Sequence, residues 1–186
     1  MDMLAKPASA ALVALCLALA GCAAPGAGDS SSSSPKMSRK EAVELQAARA
    51  ELKESVAEVT AATPRKSRIW CVPFARSVTG IDIRGNAATW WNKAASLYDR
   101  GNDPRIGAVM NFRASKAMPM GHVAVVSQVI SPREILVDQA NWERNRITVD
   151  TRVIDVSPQN DWSMVRVAAA SGTFGRVNPV YGFIYR

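Results

Sequence analysis

Histidine occurs once in the 186 residues, at His122, and cysteine three times, at Cys16, Cys22 and Cys71. One histidine and scattered thiols do not make a zinc cage. Long apolar runs are equally scarce. The one at about residues 8–20 is too short and too rich in alanine for a comfortable membrane span. No internal repeat is present. Acidic residues are in short supply where the chain looks most globular. Residues 64–186 hold 17 Lys/Arg against 9 Asp/Glu, whereas residues 37–63 hold 4 against 5. A basic globular part suits an anionic polymer or surface, with solubility as the plainer alternative.

What is present at the N-terminus sets the compartment. Lys6 precedes the apolar run, which reads as the hydrophobic stretch of an export signal. The run ends in "LAGC", Leu19 to Cys22, which resembles the lipobox of bacterial lipoproteins. That resemblance implies that residues 1–21 are removed and that Cys22 is lipidated and becomes the first residue. Ala23 is not the aspartate that retains many such proteins at the inner membrane. The expected location is therefore the bacterial cell envelope, on the periplasmic face of the outer membrane. With Cys16 removed and Cys22 acylated, Cys71 is the one free thiol in an oxidising compartment, so it is not part of an internal disulfide.

The next segment, residues 22–37, includes "AAPGAGDSSSSSPKM" and reads as a flexible tether. Residues 38–63 read as a helix. Ser38 and Glu41 fit a capping box, Leu45, Leu52, Val56 and Val59 form a thin apolar stripe, and Pro64 ends it. Too few heptads are present for a coiled coil, so the helix serves as a spacer or packs on the domain that follows. That domain spans residues 65–186. "CVPFARSVTG" and "NAATWWNKAASLYDRG" read as two helices, the second ending at Gly101. Six strands follow: "IGAVMNF", "HVAVVSQVI", "EILVDQANW", "ITVDTRVIDVS", "WSMVRVAA" and "VYGFIYR". Turn-forming stretches such as "KAMPMG" and "GTFGRVNP" separate them. Helices followed by sequential strands predict an α+β fold, with the helices packed on one side of a roughly six-stranded antiparallel sheet.

The chemistry-bearing residues are few. Cys71 opens a helix, His122 opens an apolar strand after a glycine, and "ILVDQANW" offers Asp138, Gln139 and Asn141. A thiol, an imidazole and a polar orienting group are the parts of a thiol nucleophile system. A helix start and an adjacent imidazolium would lower the thiol pKa and supply thiolate. Strand parity puts Gln139 and Asn141 on one face and Asp138 on the other. Asn141 is therefore the expected orienting residue, and Asp138 would need a bulge to reach the same face. Trp90 and Trp91 are adjacent on a helix. One of them packs into the core, and the other, Trp91, is a candidate groove wall. Trp142 and Arg76 are further candidate substrate contacts, with a surface ion pair the plainer role for Arg76.

In this order, "CVPFAR", "GAVMNF", "GHVAVV" and "VDQANW" resemble the CHAP family. These are cysteine- and histidine-dependent amidohydrolases or peptidases of the papain-like, NlpC-related superfamily. The resemblance covers roughly residues 69–186. It implies a papain-like fold, Cys71 as nucleophile, His122 as general base and Asn141 as the polar third residue. The family's common Glu-x-Asn pattern would place Gln139, not Asp138, before the asparagine, which leaves the roles of Asp138 and Gln139 open. The implied substrate is the peptide part of peptidoglycan, cut without a metal or other cofactor. The combined expectation is a lipid-anchored wall hydrolase. It would partner peptidoglycan and, through its lipid, a membrane, with no nucleic acid and no stated oligomeric state. A non-catalytic wall tether, or an amidase or transpeptidase on another amide, are the alternatives.

Overall fold

The computed structural model describes residues 37–64 and 67–186. The export segment, Cys22 and the Ser-rich stretch lie outside the described residues. No described helix is long and apolar enough to cross a membrane.

Helix α1, Arg39–Ala62, starts with the predicted capping box. Ser38 Oγ accepts the Glu41 N–H at 3.2 Å, and the Ser38 N–H donates to Glu41 Oε2 at 2.8 Å. Two orphan amides at the helix start are thereby satisfied. Leu52 and Val56, one turn apart, are buried, while Leu45 remains exposed. The stripe is narrow but sufficient: α1 lies against helix α2, Cys71–Thr79, and joins the same core. Burying two such side chains contributes about 2 kcal/mol each. A polar contact adds to this, because Arg49 and Lys53 both reach Asp150, at 3.5 and 3.0 Å.

In α2, Phe74, Ala75, Val78 and Thr79 form the buried face. Pro73 fits the first turn, where a missing N–H costs nothing. Gly80 caps the helix in a left-handed conformation, its N–H donating to Arg76 O at 2.9 Å. The second predicted helix is shorter than expected. It consists of a 3-10 turn, Ala87–Thr89, and helix α3, Trp90–Ala94. The chain then turns into a short strand β1, Asp99–Gly101, which the sequence did not reveal.

The six predicted strands are all present: β2 Val109–Phe112, β3 His122–Ser131, β4 Glu134–Ala140, β5 Ile147–Asp155, β6 Met164–Ala168 and β7 Phe174–Tyr185. Every pairing is antiparallel. The fold is α+β as expected, but the sheet is not an open one with helices packed across it. It closes into a barrel, because β6 pairs with β5 on one edge and β7 on the other, and β7 also pairs with β2. The early half of β7 lies in "GTFGRVNP", which reads as a turn. Its residues 174–179 pair with β6, and residues 180–185 pair with β2 and β1. Pro179 sits at this change of partner, where a strand tolerates a residue without an N–H.

The core has two parts. Val123 and Val125 of β3 face the helices, with Phe74, Ile81 and Trp90. Ala124 and Val126 alternate to the barrel interior, with Phe112, Val137 and Phe183. A strand buried on both faces reads as a continuous apolar run, which is why "HVAVV" stands out.

Candidate active site

The start of β3 is fixed by a close backbone approach. Gly121 has φ +68°, and a Cβ there would lie 2.6 Å from Ala88 N and 3.0 Å from Phe112 O. Only glycine fits such a position. The Ala88 N–H donates to Met120 O at 2.8 Å. Fully buried Asn111 donates from Nδ2 to Ala87 O at 2.9 Å. The 3-10 turn is thus bolted beside the residue that follows Gly121.

That residue is His122, 4% exposed. Its ring packs edge-on against Phe112 at 5.5 Å and Trp142 at 5.1 Å. Nε2 hydrogen-bonds Gln139 Oε1 at 2.9 Å. An amide oxygen can only accept, so the proton sits on Nε2 and Nδ1 keeps its lone pair. Gln139 is itself fully buried, and its Nε2 has no partner among the described residues. Burial without a facing carboxylate pushes the His122 pKa down to about 4, against which the Gln139 bond pulls only weakly.

Cys71 is the first residue of α2 and is half-buried. The backbone N–H groups of Val123, Val72 and Cys71 itself favour its thiolate, but burial outweighs them and pushes the thiol pKa up. This corrects the expectation of a thiolate raised by helix start and imidazolium. In the resting protein, desolvation disfavours charge on the thiol and on the imidazole alike. The Val123 amide that faces the sulfur belongs to the residue after His122, so the start of α2 and the start of β3 meet at the sulfur. Cys71 and His122 line one cleft of about 480 Å³, together with Trp70, Met118, Trp142, Arg176 and Asn178.

The other candidates sort by face and by turn. Asn141 lines the cleft, but its side chain is committed elsewhere. It has φ +62°, and its Oδ1 accepts the Asn145 N–H at 2.7 Å. The hydrogen bond to the imidazole expected from Asn141 is made by Gln139 instead. Parity had put both on one face, but the chain leaves the strand after Ala140, so only Gln139 has strand geometry. Asp138 points to the opposite, helix-facing side and accepts the Asp150 N–H at 2.7 Å. The irregularity in β4–β5 pairing falls beside it without turning it toward His122. Burial and the nearby Asp150 charge push its pKa up. Trp142 lies in the cleft, but Trp91 and Arg76 do not. Trp91 stacks on Tyr181 at 5.7 Å, with Arg100 over its face at 4.7 Å. Arg76 pairs with Asp82, Nε to Oδ1 at 2.8 Å.

Asn145, which lies outside the sequence motifs, also shapes the site. Its Oδ1 accepts the Ile69 N–H at 2.8 Å, and its Nδ2 donates to Ser67 O at 3.3 Å. It ties the segment leading into Cys71 to the turn leaving Gln139. The only sequence signal is an asparagine in a turn, a residue that tolerates its φ of +58°. Among the described residues, no three His, Cys, Asp or Glu side chains converge to hold a metal ion.

Residues 63–141 match the family model of the CHAP domain. The matched stretch runs from the end of α1 to the turn after β4 and contains Cys71, His122 and Gln139. It points to a peptidoglycan-related amidase or peptidase, a generally hydrolytic class. No curated protein matches the chain.

Proposed function

We propose that the protein is a cysteine hydrolase that cuts an amide or peptide bond in the peptide part of peptidoglycan. The observation that carries this reading is that Cys71 and His122 line one cleft, with His122 Nε2 engaged by Gln139 Oε1 so that Nδ1 is the nitrogen left to act as base. As Sγ attacks the carbonyl carbon, His122 Nδ1 takes the thiol proton. The carbonyl oxygen becomes an oxyanion, and the Cys71 N–H at the helix start stabilises it. The C–N bond then breaks, His122 returns the proton to the leaving amine, and a thioester remains. Water, deprotonated by Nδ1, attacks the thioester and releases a carboxylate and the thiol. Gln139 orients the ring throughout without carrying charge. Asn141 serves the turn that shapes one end of the cleft.

Starting from a neutral pair has a consequence. Charge develops on sulfur and imidazole only during attack, so bound substrate that excludes water strengthens the pair when it forms. Lipidation at Cys22 would hold this domain at the periplasmic face of the outer membrane, with the Ser-rich stretch giving it reach. The basic surface suits an anionic wall.

The test is digestion of purified peptidoglycan by wild-type protein and by Cys71→Ala, with released fragments identified by mass. Fragments from wild type alone are expected, and their new termini name the bond. Fragments from neither, with binding retained, would favour a wall tether instead.

A further inference from the structure

A second depression opens where the cleft ends. It has a volume of about 360 Å³ and is lined by Ser67, Arg68, Trp70, Asn141, Arg144 and Asn145. Trp70 and Asn141 line both hollows, so the two adjoin. Part of its lining is held in place: Asn145 bonds to Ile69, Ser67 and Asn141 at once. Its walls carry two guanidinium groups. Arg68 lies over the Trp70 ring at 5.3 Å. Neither Arg68 nor Arg144 pairs with a carboxylate among the described residues, and the adjacent Glu143 is held by Arg146 at 3.1 Å. Among the described residues no Asp or Glu lines this depression or the cleft, and Arg176 adds a third cation to the cleft lining.

We propose that this depression is a carboxylate subsite, in which Arg68 and Arg144 hold a free carboxylate of the substrate peptide while Cys71 attacks an amide nearby. The proposal rests on the peptide-cleaving reading of the cleft and adds the chemical class of its preferred substrate. Guanidinium groups match the planar fork of a carboxylate and discriminate strongly against a neutral carboxamide. The Trp70 ring lines both hollows and has the Arg68 guanidinium over it, so that cation lies at the junction, next to the reacting bond.

The experiment titrates the full chain carrying Cys71→Ala, by calorimetry, with two soluble muropeptides. One has its free carboxylates; the other has them converted to carboxamides. The acid form is expected to bind about tenfold tighter or more. In Arg68→Gln/Arg144→Gln that preference disappears. In Arg39→Gln/Lys40→Gln, which removes the same charge from α1, it stays. Equal binding of the two peptides, no binding of either, or a preference that survives the paired arginine change would overturn the proposal. So would a preference lost equally in the α1 variant. Hydrolysis of the same peptides by wild type separates the two ideas. An arginine-dependent preference without cleavage keeps the subsite and sinks the hydrolase reading. Cleavage of both forms at equal rates, with equal binding, does the reverse.

Discussion

Asp138 and Gln139 are neighbours in β4, yet they serve two opposite polar clusters. On the helix side, Asp138 and Asp150 meet Ser127, Arg49 and Lys53, and charge is answered by charge. On the barrel side, Gln139 meets His122 among Phe112 and Trp142, and neither side chain is in an ion pair among the described residues. A carboxylate is tolerable where α1 supplies cations. A neutral amide is suited to an aromatic pocket whose one titratable ring stays uncharged. One residue of register therefore separates a structural latch from the candidate chemistry.

The largest effect should come from exchanging the two roles. Gln139→Leu removes the ring's orienting bond and should lower kcat by on the order of 10²- to 10³-fold, read on peptidoglycan fragments. Asp138→Asn should change kcat by less than about threefold, because it touches no reacting group. Equal losses from the two would break the comparison. Gln139→Glu sharpens it. A carboxylate beside the imidazole should raise the His122 pKa by about 1–3 units and move the acid limb of kcat/KM upward with it.

Stability against pH comes next. His122 is held at about 4 in the folded protein and returns to about 6.5 when unfolded. Between these values the unfolded chain binds more protons, so stability falls as pH drops through that window. The loss amounts to about 3 kcal/mol and should be absent in His122→Phe, as urea unfolding at stepped pH would reveal. The smallest effect belongs to the latch. Lys53→Met should cost under about 1 kcal/mol, since that side chain is half exposed and its ion pair is screened.

Much of this was legible in the residues. The capping box of α1, the thiol at the start of α2 and the apolar strand opened by His122 all follow from local chemistry. Parity alone separated Asp138 from Gln139. Parity could not choose between Gln139 and Asn141, because where a strand ends depends on the turn, and the Asn141–Asn145 bond settles that. Barrel closure was hidden for a similar reason. Gly175 and Pro179 mark the early half of β7 as a turn, and only pairing with β6 makes it a strand. Trp91 and Arg76 carried no signal of their true partners, Tyr181 and Asp82, because those contacts are tertiary or lie beyond one helix. The thiol's raised pKa was also not readable, since it depends on how deeply the helix start is buried.

His122 rests as a neutral base with its proton on Nε2. With a single histidine in the chain, nitrogen-15 NMR of the imidazole reads that state without assignment. The account expects the Nε2–H tautomer and titration near pH 4 in the wild type. An Nδ1–H tautomer, or an imidazolium persisting above pH 6.5, would contradict it.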